Sequence, residues 1–240
     1  LIEPFFIKQM NKIFVVSKKG CEYYKNKYPE ISERFVFLPT WYNKKVFYKK
    51  NVDKQIVLDS FFIPKSKYLI LFVGRLESAK NPFLLIDVFN LVVKKEYETT
   101  LVIVGEGSLK EKTIMKVKKL GLEKKVIFLG KKHIQEIALL MNVSNLLILV
   151  SAFEGMPRVV LEALACGLPV VTTNIGEVGL VVKDGETGKI VNSFDPCVIA
   201  NAVVEVLRNP ASYFLCQKAV ENYSNENVLS FLESEIKKTN

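Results

Sequence analysis

Residues 68–104 read YLILFVGRLESAKNPFLLIDVFNLVVKKEYETTLVIV, and this stretch decides the fold class. Apolar runs at residues 68–73 and 100–104 have the length of buried strands, whereas residues 82–96 have the length and periodicity of a helix. A strand, a helix and a second strand in this order are typical of parallel strands with a covering helix. The stretch therefore predicts an α/β domain.

The same alternation continues toward the C-terminus. Strand-like runs occupy residues 125–129, 145–150 and 168–172, and helix-like stretches occupy residues 109–120, 134–142, 157–166 and 196–208. This alternation predicts a Rossmann-like, doubly wound parallel sheet with helices on both faces, over residues 65–208. We expect further helices over residues 209–240, around residues 211–223 and 227–237, with Pro210 as the break.

The first forty residues do not belong to that domain. Residues 12–17 and 34–38 are strand-like, and residues 19–27 form a polar helix between them. Two strands and a helix cannot close a core of their own. We therefore expect residues 1–40 to be the tail of a preceding Rossmann-like domain that is mostly absent, joined by a linker over residues 41–64. A chain that begins at Leu1 rather than Met agrees with this interpretation.

Composition narrows the class of protein. The chain has 240 residues, 49% of them hydrophobic, and no apolar run approaches the roughly 18 residues that span a bilayer. The widely spaced Cys21, Cys166, Cys197 and Cys216 form no Cys-x-x-Cys pair, so they indicate neither a zinc site nor a disulfide framework. We expect a cytoplasmic protein.

The formal net charge of +9 favours anionic partners. Phosphates, acidic lipid headgroups and nucleic acid are all anionic partners of this kind. The lysines occur as scattered pairs without a stripe of interleaved aromatic residues, so solvated surfaces explain most of them. We expect no nucleic-acid partner, and peripheral binding to the inner face of the plasma membrane is a further hypothesis.

Glycines follow three of the expected strands. Gly74, the pair Gly105 and Gly107, and Gly130 each allow a tight turn at a strand's carboxyl end, the edge where open α/β sheets bind ligands. Residues 105–110 lack the third glycine of the Gly-x-Gly-x-x-Gly dinucleotide motif, and the chain has no Gly-x-x-x-x-Gly-Lys-Ser/Thr phosphate loop. The sequence therefore argues against nicotinamide binding and excludes a P-loop.

Residues 151–172 read SAFEGMPRVVLEALACGLPVVT and contain several candidate ligand-binding residues. Pro157 suits the first position of a helix and Gly167 its C-terminal cap. The backbone N–H groups of Arg158 and Val159 would open at the carboxyl edge of the sheet, where the helix dipole favours an anion. A diphosphate fits such a site.

Two carboxylates accompany this helix. Glu154 lies in the loop before it, and Glu162 lies inside it, from where its side chain leans toward the helix start. A buried carboxylate needs partners, and a ribose diol offers two donors. Alternatively, Glu162 pairs with a neighbouring lysine and Glu154 accepts hydrogen bonds from loop amides.

Two cations follow the first strand of residues 68–104. Arg75 offers a planar fork of donors and Lys80 a point charge, so together they could neutralise a pyrophosphate leaving group without a metal ion. Alternatively, these two cations form ion pairs with Glu77 or another surface acid. The single histidine, His133, has no ligand set at metal-binding spacing and is expected at a helix start or on the surface.

The motif Gly74-Arg75-Leu76-x-x-x-Lys80-Asn81, followed by Glu154-Gly155-Met156-Pro157-x-x-x-x-Glu162-Ala163, resembles the family 4 (group 1) retaining glycosyltransferases. The resemblance covers residues 65–208 well. It implies the GT-B fold of two facing Rossmann-like domains, transfer of a sugar from a nucleoside-diphosphate sugar with retention of configuration, and no cofactor or metal. The acceptor would be a saccharide or a lipid-linked molecule in polysaccharide or glycolipid synthesis.

The resemblance also implies roles for single residues. Arg75 and Lys80 would hold the donor diphosphate, Glu162 the ribose and Glu154 a sugar hydroxyl, which makes Arg75, Lys80 and Glu154 the expected catalytic residues. The remaining donor-binding residues would be Gly74, Gly155, Met156, Pro157, Arg158 and Val159, with Gly130 and Lys132 beside the base. The preceding domain would supply the acceptor site, so this chain alone would be an incomplete enzyme.

Two other functions remain open from the sequence. A nucleotide-sugar 2-epimerase-like isomerase would share the two-domain architecture, although such enzymes do not usually carry the motif of residues 154–162. A non-catalytic protein that binds nucleotide sugars, or a nucleic-acid binder suggested by charge alone, is the third possibility. Product analysis and salt-dependent oligonucleotide binding would separate these classes.

Overall fold

The computed structural model describes residues 3–238, with side chains from Phe6 onward. Residues 1–2 and 239–240, the outer ends of the segments expected at 1–40 and 209–240, lie outside the described residues. The chain begins with helix α1 (Glu3–Gln9), strand β1 (Ile13–Val15), helix α2 (Lys18–Lys27) and strand β2 (Phe35–Phe37). The two strands are parallel and enclose a small apolar cluster of Cys21, Tyr28, Ile31 and Phe35. We call residues 3–38 the small unit.

The segment between the small unit and the main sheet is packed rather than free. Tyr42 and Phe47 are buried in the main core, and helix α3 (Lys54–Ser60) starts at Asp53, whose carboxylate accepts hydrogen bonds from two backbone N–H groups. The Asn142 side chain accepts from Lys50 N (2.7 Å) and donates to the Tyr48 carbonyl (3.1 Å). These bonds fix the segment against the main domain.

The main domain is a six-stranded parallel sheet with helices on both faces, as expected. Its elements are β3 (Tyr68–Val73), α4 (Pro82–Lys95), β4 (Thr99–Val104), α5 (Lys110–Lys119), β5 (Val126–Gly130), α6 (Ile134–Val143), β6 (Leu146–Leu149), α7 (Arg158–Ala165), β7 (Val170–Thr173), β8 (Gly188–Val191) and α8 (Pro196–Arg208). Every residue of β4, β6 and β7 is buried, because both faces of the sheet are covered.

Two details differ from the sequence expectation. Strand β8 was not expected; it pairs with β7 at the edge of the sheet, so the sheet has one more strand than the sequence pattern indicated. Helix α7 begins at Arg158, and Pro157 is its N-cap rather than its first residue, because the backbone of Pro157 is extended (φ −69°, ψ 115°).

The strand order β5-β4-β3-β6-β7-β8 places the functional edge of the sheet. The chain adds strands outward on one side from β3 to β5, then returns to pair β6 with β3 and continues on the other side. The connections after β3 and β6 lead toward opposite edges of the sheet, and the loops at the start of these connections border a crevice. Ligands of open α/β sheets bind in such crevices at the carboxyl ends of the strands.

The C-terminal segment returns to the small unit. The helix expected around residues 211–223 is broken into a turn at Pro210–Ser212 and helix α9 (Cys216–Val220), whereas helix α10 (Asn225–Lys237) is close to expectation. The Glu235 carboxylate on α10 lies 3.2 Å from the Lys12 ammonium in the small unit. None of the helices in the described part of the chain is long and apolar enough to cross a membrane.

Candidate functional site

The loops after β3 and β6 meet at the crevice. The β3 loop (residues 74–81) contains a short turn and Asn81 in the left-handed region, and the β6 loop (residues 150–157) leads into α7. The Ala152 N–H donates to the Ala79 carbonyl (2.8 Å), which holds the loops together. The two sequence motifs are therefore neighbours in space.

Lys80 and Glu154 are in direct contact across the two loops. The Lys80 ammonium pairs with the Glu154 carboxylate, and their side chains are only 20% and 17% exposed, so water screens the pair poorly. The Ser151 hydroxyl, which is buried, donates to the same carboxylate oxygen (3.1 Å). Lys80 thus has an acidic partner, but this partner is Glu154, itself one of the three expected catalytic residues, rather than Glu77.

The electrostatics around Lys80 favour an additional anion. Burial, followed by the positive charge of Arg75, lowers the pKa of the Lys80 ammonium from its ordinary value of 10.5, although the Glu154 carboxylate acts in the opposite direction. A phosphate between the two cations would relieve their repulsion. The crevice is therefore suited to a diphosphate.

Arg75 is exposed and makes no hydrogen bond or ion pair within residues 3–238. Its nearest expected partner, the Glu77 carboxylate, instead accepts from the backbone N–H (2.9 Å) and hydroxyl (2.6 Å) of Ser108. These two hydrogen bonds are the main reason that the pKa of Glu77 lies below its ordinary value. The guanidinium of Arg75 is left available to a ligand.

The start of α7 leaves two backbone donors unused. The Val160 N–H donates to the Pro157 carbonyl (3.0 Å), but the N–H groups of Arg158 and Val159 have no acceptor among the described residues. Unpaired N–H groups at a helix start attract anions. The preceding residues Gly155 and Met156 lie in the same turn, beside Glu154.

Glu162 is a partly buried carboxylate without a partner. Burial raises its pKa from the ordinary value of 4.5, and the charge of Arg158, one turn nearer the helix start, opposes that rise. Its carboxylate makes no ion pair or hydrogen bond with the described residues, so the alternative of a neighbouring lysine is not what the structure contains. A carboxylate held in this way can accept from a ligand.

A cavity of about 510 Å³ opens at the carboxyl ends of β3, β4 and β5. Three of the expected donor-binding residues, Gly74, Arg75 and Lys132, line it. Gly130 lies next to the cavity, because its carbonyl accepts from the N–H of Gly105 (2.8 Å), which is a lining residue. Lys80, Glu154 and Glu162 do not line this cavity, so the expected site residues divide between the cavity and the adjoining crevice.

Sequence reasoning missed several residues of this region. Glu106 and Lys131 line the cavity, and the Glu106 carboxylate pairs with Lys110 (2.8 Å). The glycines around Glu106 marked the strand end, but nothing in their pattern assigned the side chain between them. Glu177 was missed as well, and its contacts with the β6 loop depend on residues far apart in sequence.

The turn after β7 packs against the β6 loop and is hydrogen-bonded to it. Gly176 has a φ of 49°, and a Cβ there would overlap the Gly155 carbonyl oxygen. The Glu177 N–H donates to the same carbonyl (2.8 Å). The position of Glu154 and Gly155 is therefore set by the β7 turn as well as by Lys80.

A doubly wound parallel sheet with a polar crevice at the switch point defines a Rossmann-like domain of the GT-B class. Residues 53–226 match the family model described as glycosyl transferases group 1. This match covers more than half of the chain, and the chain belongs to this family. The resemblance seen in the two motifs is confirmed.

Relatives with assigned activities are similar to part of the chain. The chain is 27% identical over 175 residues to N-acetyl-alpha-D-glucosaminyl L-malate synthase of Bacillus anthracis, covering 72% of the chain and 45% of the relative. It is 34% identical over 143 residues to glycogen synthase of Mycobacterium tuberculosis, covering 60% of the chain and 34% of the relative. The matched region thus spans less than half the length of either relative.

Solved structures share the fold. The Anabaena protein HepE in complex with UDP has a TM-score of 0.81 at 18% identity, covering 95% of this chain and 64% of that protein. Sucrose-phosphate synthase from Thermosynechococcus elongatus has a TM-score of 0.78 at 22% identity, covering 94% and 57%. At these identities the similarity establishes the architecture alone.

Proposed function

We propose that this chain forms the donor-binding part of a retaining glycosyltransferase that moves a sugar from a nucleoside-diphosphate sugar to a saccharide or lipid-linked acceptor. The observation that carries the proposal is the contact between Lys80 and Glu154, which unites both family motifs in the crevice between β3 and β6. The unpartnered Arg75 and Glu162 beside it support the same conclusion.

The donor would lie across the crevice. Its base would occupy the cavity lined by Lys132, next to Gly130, and the ribose hydroxyls would donate to Glu162. The diphosphate would lie between the cations Arg75 and Lys80 and the free N–H groups at the start of α7. The sugar would then reach the segment of residues 154–157, where Glu154 can accept from one of its hydroxyls.

The chemistry follows from this placement. The bond between the anomeric carbon and the diphosphate oxygen breaks, and a bond to the acceptor oxygen forms on the same face of the sugar. Negative charge grows on the departing phosphate oxygen, and this oxygen takes the proton of the acceptor hydroxyl. Arg75, Lys80 and the N–H groups of α7 would stabilise that charge more strongly in the transition state than in the ground state. These donors support a reaction without a bound metal ion.

Uridine nucleotides are the first ligands to test. Three solved neighbours from Anabaena contain UDP, UDP with glucose, or UDP-glucose. We propose that the acceptor belongs to cell-surface polysaccharide or glycolipid synthesis, and that the protein acts in the cytoplasm at the inner face of the membrane. The net charge of +9 supports an anionic membrane surface as a partner.

A ligand screen tests the proposal. Thermal unfolding is measured with UDP, GDP, ADP and CMP and with their sugar conjugates, because a ligand of the native state raises the unfolding temperature with the logarithm of its concentration. One nucleotide series should stabilise the protein, equally well in EDTA and in magnesium. The matched control is Lys116→Ala, which removes a lysine paired with Asp87 away from the crevice, against Lys80→Ala.

Stabilisation by none of the nucleotides would refute donor binding. Stabilisation that disappears in EDTA and returns with magnesium or manganese would refute metal independence. Equal effects of Lys116→Ala and Lys80→Ala would refute the position of the diphosphate.

A further inference from the structure

Glu177 is a buried acid that the proposed reaction does not use. It lies in the turn after β7 and is 9% exposed. Its carboxylate forms no ion pair within residues 3–238. Instead, one oxygen accepts from the Ser17 hydroxyl (2.9 Å) and from the Lys19 backbone N–H (3.3 Å), both in the small unit. A buried charge with two donors of this kind holds two parts of the molecule together.

The small unit offers Glu177 the start of a helix. Ser17 is the N-cap of α2, and its oxygen accepts from the Gly20 N–H (3.1 Å) while its hydroxyl proton points to Glu177. The Lys19 N–H belongs to the first turn of α2, where no backbone acceptor exists. Glu177 satisfies that donor, and the helix dipole stabilises its negative charge.

The backbone of Glu177 faces the donor site. Its N–H donates to the Gly155 carbonyl (2.8 Å), and the preceding Gly176 packs so closely on the same carbonyl that no side chain fits. One residue therefore contacts α2 through its side chain and the β6 loop through its backbone. Gly155 directly follows Glu154, the residue proposed to contact the sugar.

We propose that Glu177 is a positioning residue that couples the small unit to the β6 loop and thereby places Glu154 for the transferred sugar. If the donors from α2 are removed, the buried carboxylate has to turn toward water. The β7 turn then moves, and the Gly155 carbonyl loses its hydrogen bond. The effect on the sugar rests on the proposed function, whereas the coupling between the two parts of the chain does not.

Hydrogen–deuterium exchange on the unliganded chain tests the coupling. Ser17→Ala removes the hydroxyl donor from the small unit without touching the β6 loop. We expect faster exchange at residues 18–20 and also at residues 154–159 and 176–178 of the main domain. Ser224→Ala is the matched control, because Ser224 caps α10 through the Asn227 N–H (3.2 Å) and has no carboxylate partner.

Two results would overturn the coupling. Exchange at residues 154–159 and 176–178 that Ser17→Ala leaves unchanged would show that the contact transmits nothing. The same acceleration in Ser224→Ala would show general loosening instead. Circular dichroism of each variant establishes that it is folded.

Calorimetry with UDP and UDP-glucose tests the consequence for the sugar. Glu177→Gln leaves the backbone N–H of residue 177 unaltered as a donor but removes the charge at α2, which by this proposal weakens its hydrogen bond to the Gly155 carbonyl. We expect the affinity for UDP to stay within about twofold and the affinity for UDP-glucose to fall about three- to tenfold, as is common for residues that act through a neighbour. Glu96→Gln is the control, since Glu96 is a shielded carboxylate that binds Arg208 (2.6 Å) far from the crevice.

The outcomes separate the two proposals. Equal losses for UDP and UDP-glucose in Glu177→Gln, or equal behaviour of Glu96→Gln, would overturn the positioning role. If the unchanged protein binds neither ligand, the proposed donor fails, and the exchange experiment alone decides whether Glu177 couples the two parts.

Discussion

Glu162 is a partly buried carboxylate that has no hydrogen-bond donor among the described residues. Burial raises the pKa of its carboxyl above 4.5, and no donor in residues 3–238 compensates for the lost water. A partly buried carboxylate of this kind opposes folding whenever it is ionised. A ligand that supplies hydrogen-bond donors, as proposed above, would offset this cost.

The change Glu162→Gln should stabilise the unliganded protein at neutral pH. As pH rises from the unfolded value near 4.5 through the raised folded pKa, the unfolded state loses its proton first, so the stability of the unchanged protein falls. Glutamine lacks this loss, so its advantage should be absent near about pH 4, below the unfolded pKa, and present near about pH 7. Urea unfolding at both pH values measures it.

The same variant should bind nucleoside diphosphate roughly ten- to a hundredfold more weakly, because hydrogen bonds to a charged acceptor are lost. Glu186→Gln, at an exposed position, is the control and should change neither property. Destabilisation of equal size at both pH values would contradict this account of Glu162.

Glu154 should behave differently from Glu162. In the unliganded protein its carboxylate neutralises Lys80, so Glu154→Gln leaves the ammonium free for a phosphate. We expect calorimetry to show unchanged or tighter binding of the nucleoside diphosphate and weaker binding of the nucleotide sugar. Loss of diphosphate affinity in Glu154→Gln as large as in Glu162→Gln would overturn this division of roles.

Among the elements, the β7 turn is sensitive to a small change at Gly176. Gly176 has a positive φ and no room for a Cβ, whereas Gly185 has a φ of 75° and no atom within 4 Å of a Cβ. Gly185→Ala should destabilise by about 1–2 kcal/mol through backbone strain alone. Gly176→Ala should lose about 3 kcal/mol or more, or shift the β6 loop and weaken sugar binding.

Thermal and urea unfolding of the two glycine variants, with binding of UDP-glucose, check this prediction. The backbone strain is similar at both positions, so the difference between the variants reports the packing of the β7 turn on Gly155. Similar stabilities and similar affinities would show that the turn adapts without consequence.

The sequence predicted those elements whose pattern is long and strongly apolar. Strands β3, β4 and β6 and helix α4 are completely or largely buried, so their periodicity carries the signal. Strand β8 escaped because it has four residues, begins with Gly188 and contains Lys189, as an edge strand can. Helix α9 is shorter than expected because the segment after Pro210 follows the surface of the main domain.

The sequence predicted those candidate-site residues that lie in short motifs. Arg75, Lys80, Glu154 and Glu162 occupy motif positions beside strand ends and a helix start, where the backbone assigns them to one edge of the sheet. The pairing of Lys80 with Glu154 and the link from Glu177 to Ser17 join residues remote in sequence. No periodic pattern encodes such contacts, so only the structure reveals them.

For the whole molecule, the net charge of +9 predicts binding to anionic membranes. Lysines near such a surface contribute about 1 kcal/mol each. Flotation with vesicles that contain anionic lipid should recover the protein, and binding should fall as salt rises from about 0.1 M to about 1 M, where the Debye length drops from about 10 Å to about 3 Å. Equal binding to neutral vesicles would remove the electrostatic explanation.

The seam between β3 and β6 also governs the order in which the domain can assemble. Strands β3, β4 and β5 follow one another in the chain, as do β6, β7 and β8, but Ile70 pairs with Leu146 only after a long loop closes. Closing long loops is entropically unfavourable and slows folding. We infer that each half of the sheet forms first and that the halves join late, so the crevice does not exist in the folding transition state.

Nucleotide should therefore change the unfolding rate and not the refolding rate. A ligand bound across the seam stabilises the native state but not the transition state, so UDP should slow unfolding in proportion to its occupancy and leave the refolding rate unchanged. Stopped-flow fluorescence of Trp41 with and without UDP measures both rates. Faster refolding in UDP would mean that β3 pairs with β6 before the transition state. The ligand would then accelerate folding as well as stabilise the native protein.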